Sequence, residues 1–373
     1  MIVPGKTIGI LGGGQLGRMM AIAAKEMGYR TAVLDPKSNS PCGQVSDYEI
    51  TAAYDDRNAV AELAKVSDVL TYEFENVDGD TADWLEVNAY LPQGSELLRV
   101  TQNRKLEKQA VNEAGVATVP YRVVESPDDF FQGLDDLGVP VVLKTTHGGY
   151  DGKGQAVVRS RDDAEEALRL LRKSGECVLE KWFPFDKELS VIVTRSVTGE
   201  TTMFPVAENI HRNNILHQSI VPAGIEKTVA EQASSIAIRL ADHLHLVGTL
   251  SVEMFLTKEG NLYVNELAPR PHNSGHYTLD ACETSQFQQH IRAICGWPLG
   301  KTDLLKPVVM VNILGQHVEK ALANISRFDD CKLHLYGKAE AKTNRKMGHI
   351  NVLADSTERA LEKINSLTIW EDQ

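Results

Sequence analysis

The chain opens with a pattern that few folds can accommodate. Thr7 to Leu11 is a short apolar run, Gly12-Gly13-Gly14-Gln15-Leu16-Gly17 is a glycine turn, Arg18 to Met27 has amphipathic helical spacing, and Thr31 to Leu34 is a second apolar run ending at Asp35. Strand, turn, helix and strand in that order specify a parallel α/β layer. Further strands are expected at Ser67 to Phe74 and Glu96 to Val100, alternating with helical stretches, so this domain should end near residue 100. Read literally, the turn is a GxGxxG with an acidic residue after the next strand, the pattern of a dinucleotide site. Its physical content is narrower: bare N–H groups at a helix N-terminus can approach an anion closely. A nicotinamide pyrophosphate, the phosphate of a smaller ligand, and tight strand-to-helix packing all satisfy it.

With 373 residues, 42% of them hydrophobic, the chain can bury two or three cores. Its five cysteines are dispersed and form no CxxC pair, a reduced intracellular pattern without a zinc site. The N-terminus shows neither a basic leader nor a span of ~20 apolar residues, so a cytoplasmic protein with no membrane partner is expected. A net charge of -12 and the lack of a long basic block argue against nucleic acid as a partner. Small anions need only a local cluster of Lys and Arg.

Residues 252–267 read as one hairpin, VEMFLT, KEGN, LYVNEL. With Lys258 to Asn261 as the turn, Thr257 pairs with Leu262, Phe255 with Val264, and Glu253 with Glu266 on one face. Directly opposed carboxylates about 5 Å apart repel by roughly 3 kcal/mol at an effective dielectric near 20. A divalent cation bridging phosphate oxygens would relieve this, and so would a neighbouring Lys or Arg.

Val139 to Lys144 and Gln155 to Arg159 are strands flanking Thr145 to Gly154, which holds Gly148, Gly149, Gly152 and Gly154. This is a hairpin tip rich in N–H donors, with Lys144 and Lys153 placed to reach phosphate. It is not a Walker loop, because His147 and Gly154 break the pattern and a strand follows. Downstream, Cys177 to Phe183 is an apolar strand stopped by Pro184, and Lys187 to Ser196 is another containing Glu188. Together they offer apolar walls and acceptors of the kind a nucleoside needs.

In this order, GGGQLGRM, YEFENV, GGYDGKGQ, the EKWF segment, NELAPRPHNSGH and YGKAEAKTNRKMGHINV resemble the ATP-grasp ligases over nearly the whole chain. Within them the match is to the 5-(carboxyamino)imidazole ribonucleotide synthase family. The resemblance implies a mixed α/β fold of ATP-grasp architecture. A Rossmann-like pre-ATP-grasp domain would span 1–100, an ATP-grasp region 101–300 with a lid near 117–177, and a C-terminal domain 301–373. It implies ATP and Mg²⁺ as cofactors, bicarbonate and aminoimidazole ribonucleotide as substrates, and a homodimer. Arg104, Lys144, His211 and the flap Gly149, Tyr150, Asp151, Gly152, Lys153, Gly154 and Gln155 would serve the ATP phosphates. Glu180, Lys181, Trp182 and Phe183 would hold adenine, Glu188 the ribose, and Glu253 and Glu266 the metal, with Asn265 beside the nucleotide. The ribonucleotide would lie across Gly14, Gln15 and Leu16, near Glu75, Asp151, Lys338 and Arg345. Tyr150, Asp151, Arg270 and His272 would stand where bicarbonate and the amine meet. Ala268 occupies the place where the superfamily often has an asparagine ligand, which removes that third protein donor.

Residue physics accords with part of this. Pro271 holds Arg270 extended, so Arg270 and His272 point to one side. Lys338 and Arg345, taken alone, read as solvated charges, and His243 and His245 as structural. Two other activities share some of these features: a formate-using ATP-grasp ligase, and a nicotinamide-dependent oxidoreductase built on GGGQLG. A non-catalytic nucleotide-binding module would leave the opposed glutamates and the Arg270–His272 pair without a purpose.

Overall fold

The computed structural model describes residues 1–148 and 154–371. Strands β1 (Thr7–Leu11), β2 (Arg30–Asp35), β3 (Tyr48–Thr51) and β4 (Val69–Tyr72) form a parallel sheet in the order β3-β2-β1-β4. Helix α1 (Gln15–Glu26) buries Met19, Met20, Ala23 and Ala24 against Ile8 and Ile10 of β1 and against Phe287, Ile291 and Ile294 of the helix Gln286–Cys295. Each large side chain buried in this way contributes about 1.5–3 kcal/mol, so the first layer is tied to a helix far away in sequence, Gln286–Cys295.

Glu96 to Val100 is not a strand. It forms the helix Glu96–Thr101, because its adjacent leucines both need burial. Leu98 packs with Tyr72 and Leu85 under the parallel sheet, and Leu97 joins the neighbouring core with Val111 and Val191. The following helix, Arg104–Glu113, starts at Asn103, whose Oδ1 accepts from the N–H groups of Lys105 (2.9 Å) and Leu106 (3.2 Å).

Strands β5 (Tyr121–Val124), β6 (Val141–Thr145), β7 (Gln155–Val158) and β8 (Cys177–Lys181) make a small antiparallel sheet ordered β5-β8-β6-β7. Helices Pro127–Leu137 and Glu165–Ser174 cover one face through Phe130, Leu134 and Leu171. Val142, Lys144, Gln155, Val157 and Glu180 stand on the opposite face and line a cleft.

The third sheet comprises β9 (Lys187–Arg195), β10 (Thr201–Met203), β11 (Ala207–Arg212), β12 (Ile215–Val221), β13 (Gly248–Leu256), β14 (Leu262–Ala268), β15 (Val308–Leu314), β16 (Cys331–Leu335) and β17 (Lys346–Leu353). Its order is β14-β13-β9-β11-β12-β15-β17-β16, with β10 on β9. The β13–β14 hairpin corrects the expected register. Leu256 pairs with Leu262, Phe255 with Tyr263 and Met254 with Val264, one residue away from the expected partners. A bulge at Asn265 then restores the Glu253–Glu266 pair. Because a bulge inserts one unpaired residue, Asn265 and Glu266 both face the same cleft, which regular alternation forbids. Among the described residues, no helix is long and apolar enough to cross a membrane.

Candidate active site

A cleft of about 460 Å³ opens between the small antiparallel sheet and the large one. Its apolar part is built by strand alternation. Val142 precedes Lys144 by two on β6, Val157 follows Gln155 on β7, and Phe255 follows Glu253 on β13, so each charged or polar lining residue brings an apolar one on the same face. Val119, Leu216, Trp182, Phe183 and Phe185 complete the wall. Phe185 stacks on Phe255 with centroids 4.5 Å apart, and Phe183 meets Tyr263 edge-on at 4.6 Å. Val142, Val157 and Phe255 are marked in the sequence by the two-residue period from Lys144, Gln155 and Glu253, whereas Val119, Phe185 and Leu216 carry no such signal.

Glu180 lies at the base of the small sheet, 4% exposed, between Lys144 Nζ (2.7 Å) and Lys108 Nζ (2.9 Å). Burial acts to raise its carboxyl, but Lys144 and then Lys108 outweigh burial and hold it at about 2. Glu180 therefore points its carboxylate at two lysines, orienting Lys144 into the cleft. Lys181 and Trp182 donate backbone N–H groups to Pro120 O and Pro140 O, both at 2.9 Å.

On the floor, Glu253 and Glu266 face each other across β13–β14. Burial, and then the Glu266 charge, push the Glu253 carboxyl up. A third carboxyl, Glu107, buried behind them, accepts from Leu267 N–H at 2.6 Å and is likewise raised, by burial and then by Glu266. Arg104, 3.8 Å from Glu266, offsets part of this charge, and His272 Nε2 lies 3.3 Å from Glu253. The raised carboxyls mark a cluster that added positive charge in the cleft would stabilise. Its donors are carboxylate oxygens with the Asn265 amide beside them, the chemistry of a hard divalent cation that completes its shell with water and phosphate oxygens. Glu188 and His211 are paired with each other, Glu188 Oε2 to Nδ1 at 2.7 Å. Burial opposes protonation of His211, and the Glu188 carboxylate outweighs it, so the imidazole is raised.

Arg270 and His272 both line the cleft, as the Pro271 argument predicts. Arg270 forms a two-pronged ion pair with Glu75, NH2 to Oε1 at 3.1 Å and Nε to Oε2, and its NH1 donates to Pro271 O at 3.2 Å. Donors remain on both terminal nitrogens for an anion. Burial and then Arg270 lower His272 well below its ordinary range, so it is neutral at pH 7.

The glycine turn is a different site from the one its pattern suggests. Gly14 N–H and Gly17 N–H both donate to the buried Glu73 carboxylate, at 2.5 and 2.6 Å. Gly13 N–H donates to Asp35 (2.8 Å), which also accepts from Tyr54 OH (2.8 Å) and Lys37 N–H (2.8 Å). A Cβ on Gly14 would clash with Glu73 Oε1. These glycines admit the protein's own carboxylates, so the pyrophosphate position of a dinucleotide is filled. Gln15 and Leu16 lead into α1 beside it. Over this turn lies the 336–346 segment, where Gln44 Nε2 donates to Gly337 O at 2.9 Å. There Lys338 donates to Lys346 O (2.7 Å), and burial and then Arg345 bring its ammonium down to about 8. Arg345 donates to Glu340 O (2.9 Å), and Lys346 reaches the main cleft. Lys338 thus stands within reach of both Arg345 and the buried Glu73 of the glycine turn, outside the lining of the main cleft. Gly154 accepts from Thr145 N–H at 2.9 Å, whereas Gly149, Tyr150, Asp151, Gly152 and Lys153 lie outside the described residues.

The chain resembles known proteins along its length. Residues 5–102 match the ribonucleotide synthetase preATP-grasp domain, 109–287 the ATP-grasp domain, and 308–363 the phosphoribosylaminoimidazole carboxylase C-terminal domain. The chain is 57% identical over 366 residues to the N5-carboxyaminoimidazole ribonucleotide synthase of Bacillus subtilis (strain 168), covering 98% of this chain and 96% of that one. It superposes on an ADP complex of purK, an N5-carboxyaminoimidazole ribonucleotide synthetase, with TM-score 0.98 at 63% identity, over 100% and 99% of the two chains. It also superposes on the Aspergillus clavatus N5-carboxyaminoimidazole synthase in complex with ADP and 5-aminoimidazole ribonucleotide, with TM-score 0.91 at 32% identity over 99% of each. Similarity of this degree along the whole length, on a fold with a cleft that carries both acidic and cationic side chains, makes the chain a member of the N5-carboxyaminoimidazole ribonucleotide synthase family of ATP-grasp ligases.

Proposed function

We propose that this protein carboxylates 5-aminoimidazole ribonucleotide with bicarbonate at the expense of ATP, giving 5-(carboxyamino)imidazole ribonucleotide, ADP and phosphate in purine biosynthesis. The observation that carries this reading is the meeting, in one cleft, of the opposed Glu253–Glu266 pair, the Glu180-held Lys144 and the Arg270–His272 pair. Bicarbonate is a poor electrophile because its leaving group would be hydroxide. Transfer of the γ-phosphoryl group to a bicarbonate oxygen gives carboxyphosphate and releases ADP. The exocyclic amine then takes the CO₂ unit, the carbon–oxygen bond to phosphate breaks, and the amine loses a proton.

In this account the apolar wall around Val142, Val157, Phe185 and Phe255 encloses adenine, with Glu180 to Phe183 along its edge, and Glu188 takes the ribose hydroxyls. Lys144, Arg104, His211 and the flap 149–155 neutralise phosphate oxygens. Glu253 and Glu266 would hold Mg²⁺, which when bound would supply charge neutralisation at the β- and γ-phosphates. Arg270, steered by Glu75, holds the bicarbonate oxygens beside His272 and Tyr150, and Asp151 orients the amine. Lys338 and Arg345 take the ribonucleotide phosphate at the mouth of α1, near Gly14, Gln15 and Leu16. The segment 1–100 would contribute the ribonucleotide floor, 101–300 the nucleotide site with 117–177 as lid, and 301–373 the phosphate clamp. A cytoplasmic location, expected from the N-terminal sequence, and a homodimer, carried over from the family resemblance, belong to the same reading; sedimentation of the purified protein tests the second.

The test is ADP release by the purified chain. Release should require bicarbonate and aminoimidazole ribonucleotide together, and formate should not replace bicarbonate. Release supported by formate, or micromolar NADH binding without ATP binding, would overturn the proposal.

A further inference from the structure

Behind His272 a file of buried polar groups crosses the floor of the cleft. Ser219 Oγ on β12 donates to Asn209 Oδ1 on β11 at 2.8 Å, and Asn209 Nδ2 donates to Ser190 Oγ on β9 at 2.9 Å. Ser190 Oγ donates to Ser274 Oγ at 2.8 Å, and Ser274 Oγ lies 2.9 Å from His272 Nδ1. On the far side of the ring, His272 Nε2 lies 3.3 Å from Glu253 Oε1. Ser219, Ser190 and Ser274 are at most 1% exposed and Asn209 5%. Strand pairing explains how distant residues come into line: Ser190 stands opposite Glu253 across β9–β13, and Asn209 opposite Ser219 across β11–β12. Alanine or valine would fill these positions without desolvating a polar group, so packing does not account for their polarity.

The direction of the file follows from donor chemistry. An amide nitrogen only donates and an amide oxygen only accepts, so Asn209 sets the polarity on both sides. Ser190, accepting from Asn209, has its proton free for Ser274, and Ser274 in turn has its proton free for His272. The Ser274 backbone N–H, which can only donate, also points at Nδ1, at 3.3 Å. Both donors require a lone pair at Nδ1. The ring proton therefore resides on Nε2, facing Glu253 and the cleft.

We infer that Ser219, Asn209, Ser190 and Ser274 are positioning residues that fix His272 as its Nε2–H tautomer, so that it serves the reaction as a hydrogen-bond donor and not as the acceptor of the amine proton. This rests on the carboxylation reading above and deepens it. An N–H held toward the cleft suits the oxygens of bicarbonate or carboxyphosphate, which accumulate negative charge. The amine proton must then leave to another group or to the departing phosphate.

The ¹⁵N spectrum of histidine-labelled enzyme without metal or nucleotide, with His272 identified by its loss in His272→Asn, reads the tautomer directly. Wild type should show Nε2 protonated and Nδ1 bare. Ser274→Ala should lower kcat by about 10–100-fold with little change in the KM for ATP. Ser190→Ala, one link further from the ring, should lower kcat less and in the same direction. General loosening of the cleft would raise the KM for ATP and would not grade the losses along the file. An Nδ1-protonated or tautomer-averaged His272 in active wild type, or wild-type kcat in both alanine variants, overturns the inference. Wild type that releases no ADP with bicarbonate and aminoimidazole ribonucleotide overturns instead the function on which it rests.

Discussion

Replacing Glu180 by glutamine isolates the electrostatics of the nucleotide site from its shape. The carboxylate sits between Lys108, 2% exposed, and Lys144. Burial raises its pKa, the two lysines lower it further, and the net position is about 2 against an ordinary 4.5. At 1.36 kcal/mol per pH unit, the ionised form is favoured in the folded protein by roughly 3 kcal/mol, the loss expected for Glu180→Gln at pH 7. That size agrees with the penalty for leaving one partner of a buried ion pair uncompensated. The folded pKa is depressed, so this stability is fully present above about 4.5 and disappears as pH falls through about 2. By pH 3 the gap between wild type and variant should shrink to roughly 1.5 kcal/mol. Urea denaturation at pH 7 and pH 3, with hydrogen exchange of β6 and β8 amides to report on the small sheet itself, measures both quantities. The KM for ATP should rise in parallel as Lys144 loses its support. A variant within about 0.5 kcal/mol of wild type at pH 7, or a gap that does not narrow in acid, would refute the reasoning.

Other consequences follow from the same geometry. Glu266→Gln removes the charge that helps push Glu253 and Glu107 up, so it should abolish turnover while leaving the metal-free protein at least as stable as wild type in a thermal melt. Gly14→Ala puts a Cβ against Glu73 Oε1 and should cost about 1–3 kcal/mol, read by chemical denaturation, whether or not substrate is present. Lys338→Ala should raise the KM for the ribonucleotide and leave that for ATP unchanged. Because burial and Arg345 hold the Lys338 ammonium at about 8, kcat/KM for the ribonucleotide in wild type should fall as pH rises through 8, and in the variant this fall should be absent.

Local sequence carried the fold class and much of the site because strands and glycine turns are local. The β1–α1–β2 unit and the strands around the flap lie where periodicity puts them, and the family read from GGYDGKGQ and NELAPRPHNSGH is the one the comparisons return. The facing of Glu253 and Glu266 emerged from two offsetting errors, since a loop one residue longer than expected and the bulge at Asn265 cancel. Long-range pairing hid the rest. Glu107 and Lys108 sit in a polar helical stretch that reads as solvent-facing, and only the approach of β8 and β14 buries them. Glu73 looks like an ordinary strand-end glutamate until α1 aims two N–H groups at it. The adjacent leucines at 97 and 98 defeated the expectation of a strand because two cores, not one, surround them.

The central claim is that Glu253 and Glu266 face each other to share a divalent ion carried in with ATP. A crystal grown with Mn²⁺ and a non-hydrolysable ATP analogue tests it directly through the anomalous signal of the metal. A peak ligated by an oxygen of each glutamate, at roughly 2.1–2.2 Å, and by phosphate oxygens of the analogue is expected. A metal bound by the phosphates alone, with the two carboxylates turned apart or paired only to Arg104 and His272, would contradict it.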